Sequence, residues 1–301
     1  MIDYRSEIEK LKLEKDALIV AHFYQPDEIQ EIADVVGDSY FLSKVAMEAK
    51  QKVIVFCGVT FMAESAKILS PDKTVLLPTL EARCSMVELA TKEEVEDWKL
   101  DYPNAKVVSY INSSTEVKAV SDACCTSANA MKIIENIEGD EIIFVPDRNL
   151  GGYIQEQIPN KKMILWNGFC CVHDRIKAED IVKLKSDIEG SPEILVHPEC
   201  TKPVRDLADY IGSTGQMINY VGTSNAKEFI VVTEEGILYK LKEKYPDRKF
   251  YNPDIVCNPM KKTTLKDVYK TLLEGKNDIL LDEEIRKQAF IALMKMHELG
   301  R

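Results

Sequence analysis

The apolar run LIVAH at residues 18–22 has two counterparts further along the chain, KVVSY at residues 106–110 and ILVHP at residues 194–198. Their starts are 88 residues apart each time (106 − 18 and 194 − 106). Two more apolar runs follow each copy, about 35 and then 21 or 22 residues later, starting at Val53, Glu141 and Glu228 and at Thr74, Met163 and Lys249. A fixed offset of this kind indicates one structural unit repeated three times.

Each repeat ends in a cysteine within about ten residues of its third apolar run: Cys84, one of the pair Cys170 and Cys171, and Cys257. The separations are 86 and 87 residues (170 − 84 and 257 − 170), so they match the repeat. We therefore predict that three thiols, one from each repeat, meet near a common axis. The spacing alone does not choose between Cys170 and Cys171.

Short apolar runs that alternate with helical patterns are typical of parallel strands covered on both faces. The sequence predicts an α/β fold of three homologous three-layer α/β/α domains, with small parallel sheets around a pseudo-threefold axis. The predicted boundaries are 1–100, 101–188 and 189–301, and a tail from residue 258 contains a helix near 283–299 that packs on the first domain or nearby. Units of about 88 residues bury little surface alone, so we expect them to pack together.

The composition excludes several classes of protein. Hydrophobic residues make up 45% and charged residues 30%, which is ordinary for a globular protein. The net charge of −11 argues against a nucleic-acid partner, and no apolar stretch approaches the ~18 residues of a membrane span. The charged, amphipathic start does not resemble a signal peptide, and eight cysteines without a C-x-x-C pair suggest reduced thiols in the cytoplasm.

Polar residues end the first run of each repeat at equivalent positions, 88 and 87 residues apart: His22 and Tyr24, Tyr110 and Asn112, His197 and Glu199. Ligands of open α/β sheets bind beyond the carboxyl ends of the strands, so we expect these side chains to face a site.

A pattern of Ile29, Ile32 and Val36 predicts one helix after the first strand, ending at Gly37.

A second equivalent set lies at predicted helix starts: Ser39, Ser127, and Ser213 with Thr214. Such residues cap helices, for about 1 kcal/mol each. Helix N-termini also bind anions through free N–H groups and a partial positive charge, and the two roles are compatible.

Three thiolates from three domains could bind zinc or an iron–sulfur cluster. A structural zinc site usually has a fourth ligand and closely spaced pairs, whereas these cysteines lie nearly ninety residues apart. Three cysteines on a 4Fe-4S cluster would leave one iron open as a Lewis acid. The spacing favours the cluster and leaves zinc as the alternative.

The residues resemble a known family, the quinolinate synthases, over nearly the whole chain. The matching pieces are Ala21-His22-x-Tyr24-Gln25, Gly37-Asp38-Ser39, Phe61-Met62-Ala63-Glu64, Tyr110-x-Asn112-Ser113, Thr126-Ser127-Ala128-Asn129-Ala130, Pro146-Asp147-x-Asn149-Leu150, Gly168-x-Cys170-x-Val172-His173, His197-Pro198-Glu199-Cys200, Ser213-Thr214-Gly215 and Cys257-x-x-Met260-Lys261. Phe23 departs from the family pattern, where Asn is expected, and so does Cys171.

The resemblance implies three α/β domains around one 4Fe-4S cluster with one open iron, held by Cys84, Cys170 and Cys257. It implies an enzyme that condenses iminoaspartate with dihydroxyacetone phosphate to quinolinate, releasing phosphate and water, in de novo NAD biosynthesis. An aspartate oxidase or dehydrogenase would supply the iminoaspartate. The substrate-binding residues it implies are His22, Ser39, Tyr110, Ile111, Asn112, Ser127, His173, His197, Pro198, Glu199, Ser213 and Thr214.

Within that assignment we expect Tyr24 and Glu199 to be the proton-transfer pair, with His22 and His197 in supporting catalytic roles. His22, His197, Tyr110 and Asn112 would mainly position substrate carboxylates and the imine, and His173 would lie near the cluster loop. Two alternatives stay open at this point. One is another 4Fe-4S-dependent hydro-lyase, and the other is a cytosolic dicarboxylate-binding protein with structural thiols.

Overall fold

A computed structural model of the chain describes residues 2–300 and contains three separate four-stranded parallel sheets. The sheets have the strand orders β2-β1-β3-β4, β6-β5-β7-β8 and β10-β9-β11-β12, which are the same order three times. The strands are β1 Ala17–His22, β2 Val35–Gly37, β3 Val53–Cys57, β4 Thr74–Leu76, β5 Lys106–Tyr110, β6 Ala123–Cys125, β7 Glu141–Val145, β8 Lys162–Leu165, β9 Glu193–Val196, β10 Tyr210–Ile211, β11 Glu228–Val232 and β12 Lys249–Tyr251. The predicted α/β fold of three repeated units is confirmed.

Helices flank each sheet. They are α1 Tyr4–Glu14, α2 Asp27–Ile32, α3 Ser39–Glu48, α4 Thr60–Leu69, α5 Lys92–Asp101, α6 Thr115–Ala119, α7 Ala130–Asn136, α8 Arg148–Gln157, α9 Ala178–Asp187, α10 Lys202–Arg205, α11 Thr214–Thr223, α12 Ile237–Lys244, α13 Leu265–Glu274 and α14 Glu283–Leu299. Two short 3₁₀ turns, Ser85–Leu89 and Asn258–Lys261, directly follow Cys84 and Cys257.

The two central strands of each sheet are covered on both faces. In β3, for example, Ile54 and Val55 point to opposite faces of the sheet and both are fully buried. β-Branched residues pack well on such a pleated, two-sided surface, which is why continuous apolar runs form strands here.

The edge strands β2, β6 and β10 were missed by the sequence prediction. The structure ends α2 at Ile32 and forms β2 at Val35–Gly37, so the single helix predicted through Val36 is wrong. β2 pairs with β1 in parallel, with Val20 opposite Val35. These three strands lie outside the recurring apolar runs, whereas the opposite edge strands β4, β8 and β12 lie within the third runs, and pairing with a central strand decides β2, β6 and β10 instead.

The segment after Cys257 leaves the third unit and returns to the first two. Helix α13 packs against α1, and Asp278 forms an antiparallel bridge with Leu76 at the end of β4. Helix α14 packs against α4 of the first unit and against α6 and β6 of the second. None of the helices within residues 2–300 has the length and apolar character needed to cross a membrane.

Apolar packing ties the units together. The largest cluster of buried side chains combines residues of the first and second units with the inner face of α14. Cys84, Cys170 and Cys257 all pack against this one cluster, although they come from three different units. The core therefore brings the three predicted thiols to the same side of the molecule.

Candidate active site

A small polar cavity lies where the three sheets converge. Its volume is about 60 Å³, room for about four water molecules. The lining residues come from all three units: His22, Tyr24, Asp38, Ser39, Met62, Tyr110, Asn112, Thr126, Ser127, His197, Glu199, Thr214 and Met260. All six predicted strand-end residues therefore meet in one place.

The remaining predicted residues lie around this cavity without lining it. Ile111 is buried, and its N–H donates to the carbonyl of Cys125. Pro198 and Ser213 are also outside the lining set, and His173 is buried behind Glu199. Ser213 instead caps α11, because its Oγ accepts the Gln216 N–H.

The helix starts differ from the prediction in two respects. The residue that caps α3 is Asp38 rather than Ser39, and α7 begins at Ala130, after Ser127. Asp38 accepts the N–H of Phe41 at 2.9 Å, and burial raises the pKa of its carboxyl. Ser39, Ser127 and Thr214 nevertheless all line the cavity, so their hydroxyls are available to a ligand.

Two histidines repeat the same local turn. The Nδ1 atom of His22 accepts the Tyr24 N–H at 3.1 Å, and that of His197 accepts the Glu199 N–H at 3.3 Å. Burial lowers the pKa of both imidazoles to about 3. Each ring is therefore neutral near pH 7, with its proton on Nε2, and can donate a hydrogen bond to a substrate oxygen.

Glu199 is the carboxylate of the cavity. Its Oε2 lies 2.7 Å from Nδ1 of His173 and 3.5 Å from Nδ1 of His197. Burial opposes ionisation, but the hydrogen bond from His173 favours the ionised form, and the pKa of the Glu199 carboxyl lies below its usual range. Its Oε1 is buried and accepts no hydrogen bond from the described residues, so it is free to take a substrate proton.

Tyr24 is connected to Glu199 through two intermediates. Its Oη lies 2.6 Å from Oγ1 of Thr233 and 3.1 Å from Oγ1 of Thr214. Thr233 Oγ1 lies 2.9 Å from Nε2 of His173, whose Nδ1 contacts Glu199. Burial raises the pKa of Tyr24 well above its ordinary value, so the phenol stays protonated.

The turn that carries Tyr24 is held by the third unit. Lys261 Nζ donates to the Tyr24 carbonyl at 3.0 Å, and Gln30 Nε2 lies within 3.0 Å of the carbonyls of Phe23, Gln25 and Gly236. A side chain at Gly236 would clash, because a Cβ there would lie 2.7 Å from the Phe23 carbonyl oxygen. Close backbone approach thus fixes Tyr24 against the Thr233 strand end.

Sequence reasoning missed Thr233. It follows β11 directly, at the end of the middle strand of its unit, and it is fully buried. The predicted site residues lie at the ends of the first strand of each unit, and the run FIVVT is predicted only to form a strand. The available signal was a hydroxyl at a strand end facing the same axis.

Thiols border the cavity beside His173. Cys170 Sγ lies 3.3 Å from His173 Nδ1, whereas the neighbouring Cys171 is exposed and its Sγ lies 3.4 Å from Ser85 Oγ. Within residues 2–300, the donor group whose atoms all lie within 4.8 Å of one another is Cys170, His173 and Glu199. The three sulfurs of Cys84, Cys170 and Cys257 do not form such a group, so they are too far apart to bind a single zinc ion at ~2.3 Å each.

The donor set fits a larger metal group. Burial raises the pKa of Cys84 to about 12 and that of Cys257 to about 11, and each of these thiols has the other or Cys171 nearby. Three half-buried thiols with raised pKa values become thiolates when a bound metal supplies positive charge. Sulfurs spread beyond single-ion distances suit a cluster of several metal atoms.

The fold and the site together define a class of enzyme. Three α/β units surround a polar cavity, in which side-chain contacts connect a tyrosine to a carboxylate and thiol donors lie beside them. The chain belongs to the quinolinate synthase family, because residues 6–298 match the family model described as quinolinate synthetase A protein. It is 58% identical over 301 residues to a quinolinate synthase of Clostridium perfringens strain 13, covering 99% of this chain and 100% of the relative.

Other relatives agree. The chain is 53% identical over 300 residues to a quinolinate synthase of Clostridioides difficile strain 630 (99% and 98% covered). It is 54% identical over 298 residues to one from Caldicellulosiruptor bescii (98% of each chain). The family consists of iron–sulfur transferases of NAD biosynthesis, so membership places the chain in that pathway and argues against the hydro-lyase and binding-protein alternatives.

Proposed function

We propose that this chain condenses iminoaspartate with dihydroxyacetone phosphate to quinolinate, releasing phosphate and water. The observation that supports the proposal most strongly is the cavity. It places an ionised carboxylate, a protonated tyrosine and two neutral histidines beside three thiol-bearing loops. The family gives the product, and these residues supply the proton transfers that ring formation requires.

Cys84, Cys170 and Cys257 hold a 4Fe-4S cluster in this proposal. When bound, a cluster with three protein ligands supplies one open iron as a Lewis acid for a substrate oxygen. Cys170 is the ligand in preference to Cys171, because its side chain lies beside His173 and against the shared core, whereas Cys171 is exposed.

The walls of the cavity bind and orient the anionic substrates. Ser39, Ser127 and Thr214 offer hydroxyls next to helix starts, where N–H groups and a partial positive charge favour carboxylate or phosphate oxygens. The Nε2–H groups of His22 and His197 add two donors, and Tyr110 and Asn112 complete the wall. Ile111, Pro198 and Ser213 shape this wall from behind.

Proton transfer uses Glu199 and Tyr24. The ionised Glu199 accepts a proton from the substrate at Oε1, and the protonated Tyr24 donates one at Oη. The hydroxyl of Thr233 and the ring of His173 connect the two, so a proton can return from Glu199 to Tyr24 between steps.

The substrate iminoaspartate implies a partner that produces it, an aspartate oxidase or dehydrogenase, and the reaction takes place in the cytoplasm. The test is quinolinate formation from the two substrates by anaerobically reconstituted protein, measured by chromatography, with Cys84→Ala as the matched control. Wild type should form quinolinate and the control should form almost none. Reconstituted wild type that binds iron but forms no quinolinate would overturn the proposal.

A further inference from the structure

Two buried acids hold two of the three cysteine loops. Asp147 Oδ2 accepts the backbone N–H of Cys170 at 2.9 Å, and Glu234 Oε1 accepts that of Cys257 at 3.2 Å. In both units the acid precedes its cysteine by 23 residues. Both acids lie just beyond the middle strand of their sheet, near the ends of β7 and β11.

The second oxygen of each acid is fixed to the scaffold. Asp147 Oδ1 accepts the Leu150 N–H at 2.8 Å as the cap of α8, and Glu234 Oε2 accepts the Gly236 N–H at 2.8 Å. Both side chains are 0% exposed. A buried carboxyl group is costly unless it is hydrogen-bonded, and burial raises the pKa of Asp147 to about 8 and also raises that of Glu234. Each acid connects a strand end to a cysteine loop through these hydrogen bonds.

The first unit lacks such an acid. Phe61 stands 23 residues before Cys84. The loop is held instead by Thr60, whose N–H and Oγ1 donate to the Ala82 carbonyl at 2.9 and 3.0 Å. The repeated fold can thus form without a carboxylate at this position, so the acids of the other two units need another explanation.

We propose that Asp147 and Glu234 are positioning residues for the metal cluster, which fix the Cys170 and Cys257 loops so that their thiols face it. This inference rests on the proposed function, because it assumes those two cysteines are cluster ligands. The acids keep each cysteine N–H directed at a carboxylate and away from the sulfur. This hydrogen-bond pattern also contributes to the reduction potential of the cluster.

Asp147→Asn tests this selectively. Asn caps helices as well as Asp does, so it keeps the bond from Leu150, but its amide has a single acceptor oxygen and loses the bond from Cys170. Glu234→Gln removes one acceptor oxygen in the same way, but it also weakens the ion pair between Glu234 and Lys261, whose atoms lie 2.9 Å apart. Lys261→Gln keeps both acceptor oxygens of Glu234 and therefore measures the effect of losing the ion pair. Asp282→Asn, at the cap of α14, is the matched control.

The measurements are iron release to a chelator and the midpoint potential of the anaerobically reconstituted protein. Both acid variants should release iron about tenfold faster than wild type, which corresponds to the loss of one hydrogen bond, and their potentials should become less negative because the freed cysteine N–H can turn to the sulfur. Asp282→Asn should have the wild-type potential, whereas Lys261→Gln should have a more negative one because it removes a positive charge near Cys257. A purely structural role would lower the unfolding temperature without changing the potential.

The outcomes separate this inference from the proposed function. Wild-type iron release and potential in both acid variants would overturn the inference while Cys170→Ala and Cys257→Ala still lose iron. If those two cysteine variants keep their iron, the ligand assignment itself is wrong. Unfolding of Asp147→Asn would also contradict the inference, since the cap of α8 is preserved in that variant.

Discussion

The strand-end wall of the cavity and the three cysteine loops use the repeat in opposite ways. In the wall, equivalent positions carry different chemistry: Tyr24, Asn112 and Glu199 occupy the same place in three units. In the loops, equivalent positions carry the same cysteine, but different neighbours hold it. The position within the repeat determines where a side chain lies, and the residue type at that position in each unit determines its chemical role.

The wall and the loops should therefore respond differently to mutation. Substitutions in the wall should have unequal effects on turnover and small effects on the metal, because each position has its own role. Substitutions in the loops should affect the metal first, and their effects should depend on how each loop is held.

The largest effect on turnover is expected at the proton-transfer residues. Glu199→Gln and Tyr24→Phe should each lower kcat by about 100-fold or more, with the iron content unchanged. Asn112→Ser, at the equivalent position in the second unit, should mainly raise KM. Equal losses of kcat in all three variants would break the distinction between roles in the wall.

The next effect concerns the connection between Tyr24 and Glu199. Thr233→Val keeps the size of the side chain but removes the hydroxyl that touches both Tyr24 and His173. We expect kcat to fall by about tenfold, as for loss of one polar bond in a network. Thr214→Val, which removes a cavity hydroxyl, should affect KM more. A Thr233→Val enzyme with wild-type kcat would show that protons do not use this chain.

The two histidines of the wall should make stability depend on pH below neutrality. Burial lowers the pKa of His22 and His197 to about 3, from 6.5 in the unfolded chain. Between these values the unfolded chain binds more protons, so stability falls as pH falls from about 6.5 towards 3. At pH 5 each histidine should account for a loss of about 2 kcal/mol relative to pH 7.

Urea unfolding at several pH values measures this loss. His22→Gln and His197→Gln should each flatten the curve between pH 7 and pH 5. Curves parallel to that of wild type would mean that these imidazoles are not held neutral by burial.

The smallest effect is expected in the first cysteine loop. Thr60→Val removes the hydroxyl that donates to Ala82 but keeps the backbone bond to the same carbonyl. The free energy of unfolding should fall by about 1 kcal/mol, and iron release should change less than in Asp147→Asn. If Thr60→Val releases iron as fast as Asp147→Asn, the three loops are held equivalently and the comparison fails.

Much of the fold was predictable because a central strand of four to six residues leaves a clear apolar run, and three runs recur at one spacing. The edge strands β2, β6 and β10 were not predictable in this way, since they lie outside the three recurring runs and depend on their neighbour for pairing. The cap of α3 at Asp38 was within the quoted Gly37-Asp38-Ser39 piece, but the choice between adjacent capping residues depends on one or two residues of helix boundary.

In the site, the six strand-end residues were predictable because the repeat places them at equivalent positions. Thr233 was not, because nothing in FIVVT separates a buried structural threonine from one that joins two titratable groups. Asp147 and Glu234 were visible as acids after strands. Their bonds to Cys170 and Cys257 depend on loops 23 residues later, which only the folded chain brings back.

The central claim is that each unit contributes one thiol to a shared cluster, and iron content tests it most directly. Iron per chain should be measured after identical anaerobic reconstitution of wild type, Cys84→Ala, Cys170→Ala and Cys257→Ala, with Cys171→Ala and Cys200→Ala as controls. We predict that each of the first three variants loses most of its iron and that both controls keep the wild-type amount. Wild-type iron in any one of the three variants, or loss of iron in Cys171→Ala with retention in Cys170→Ala, would contradict it.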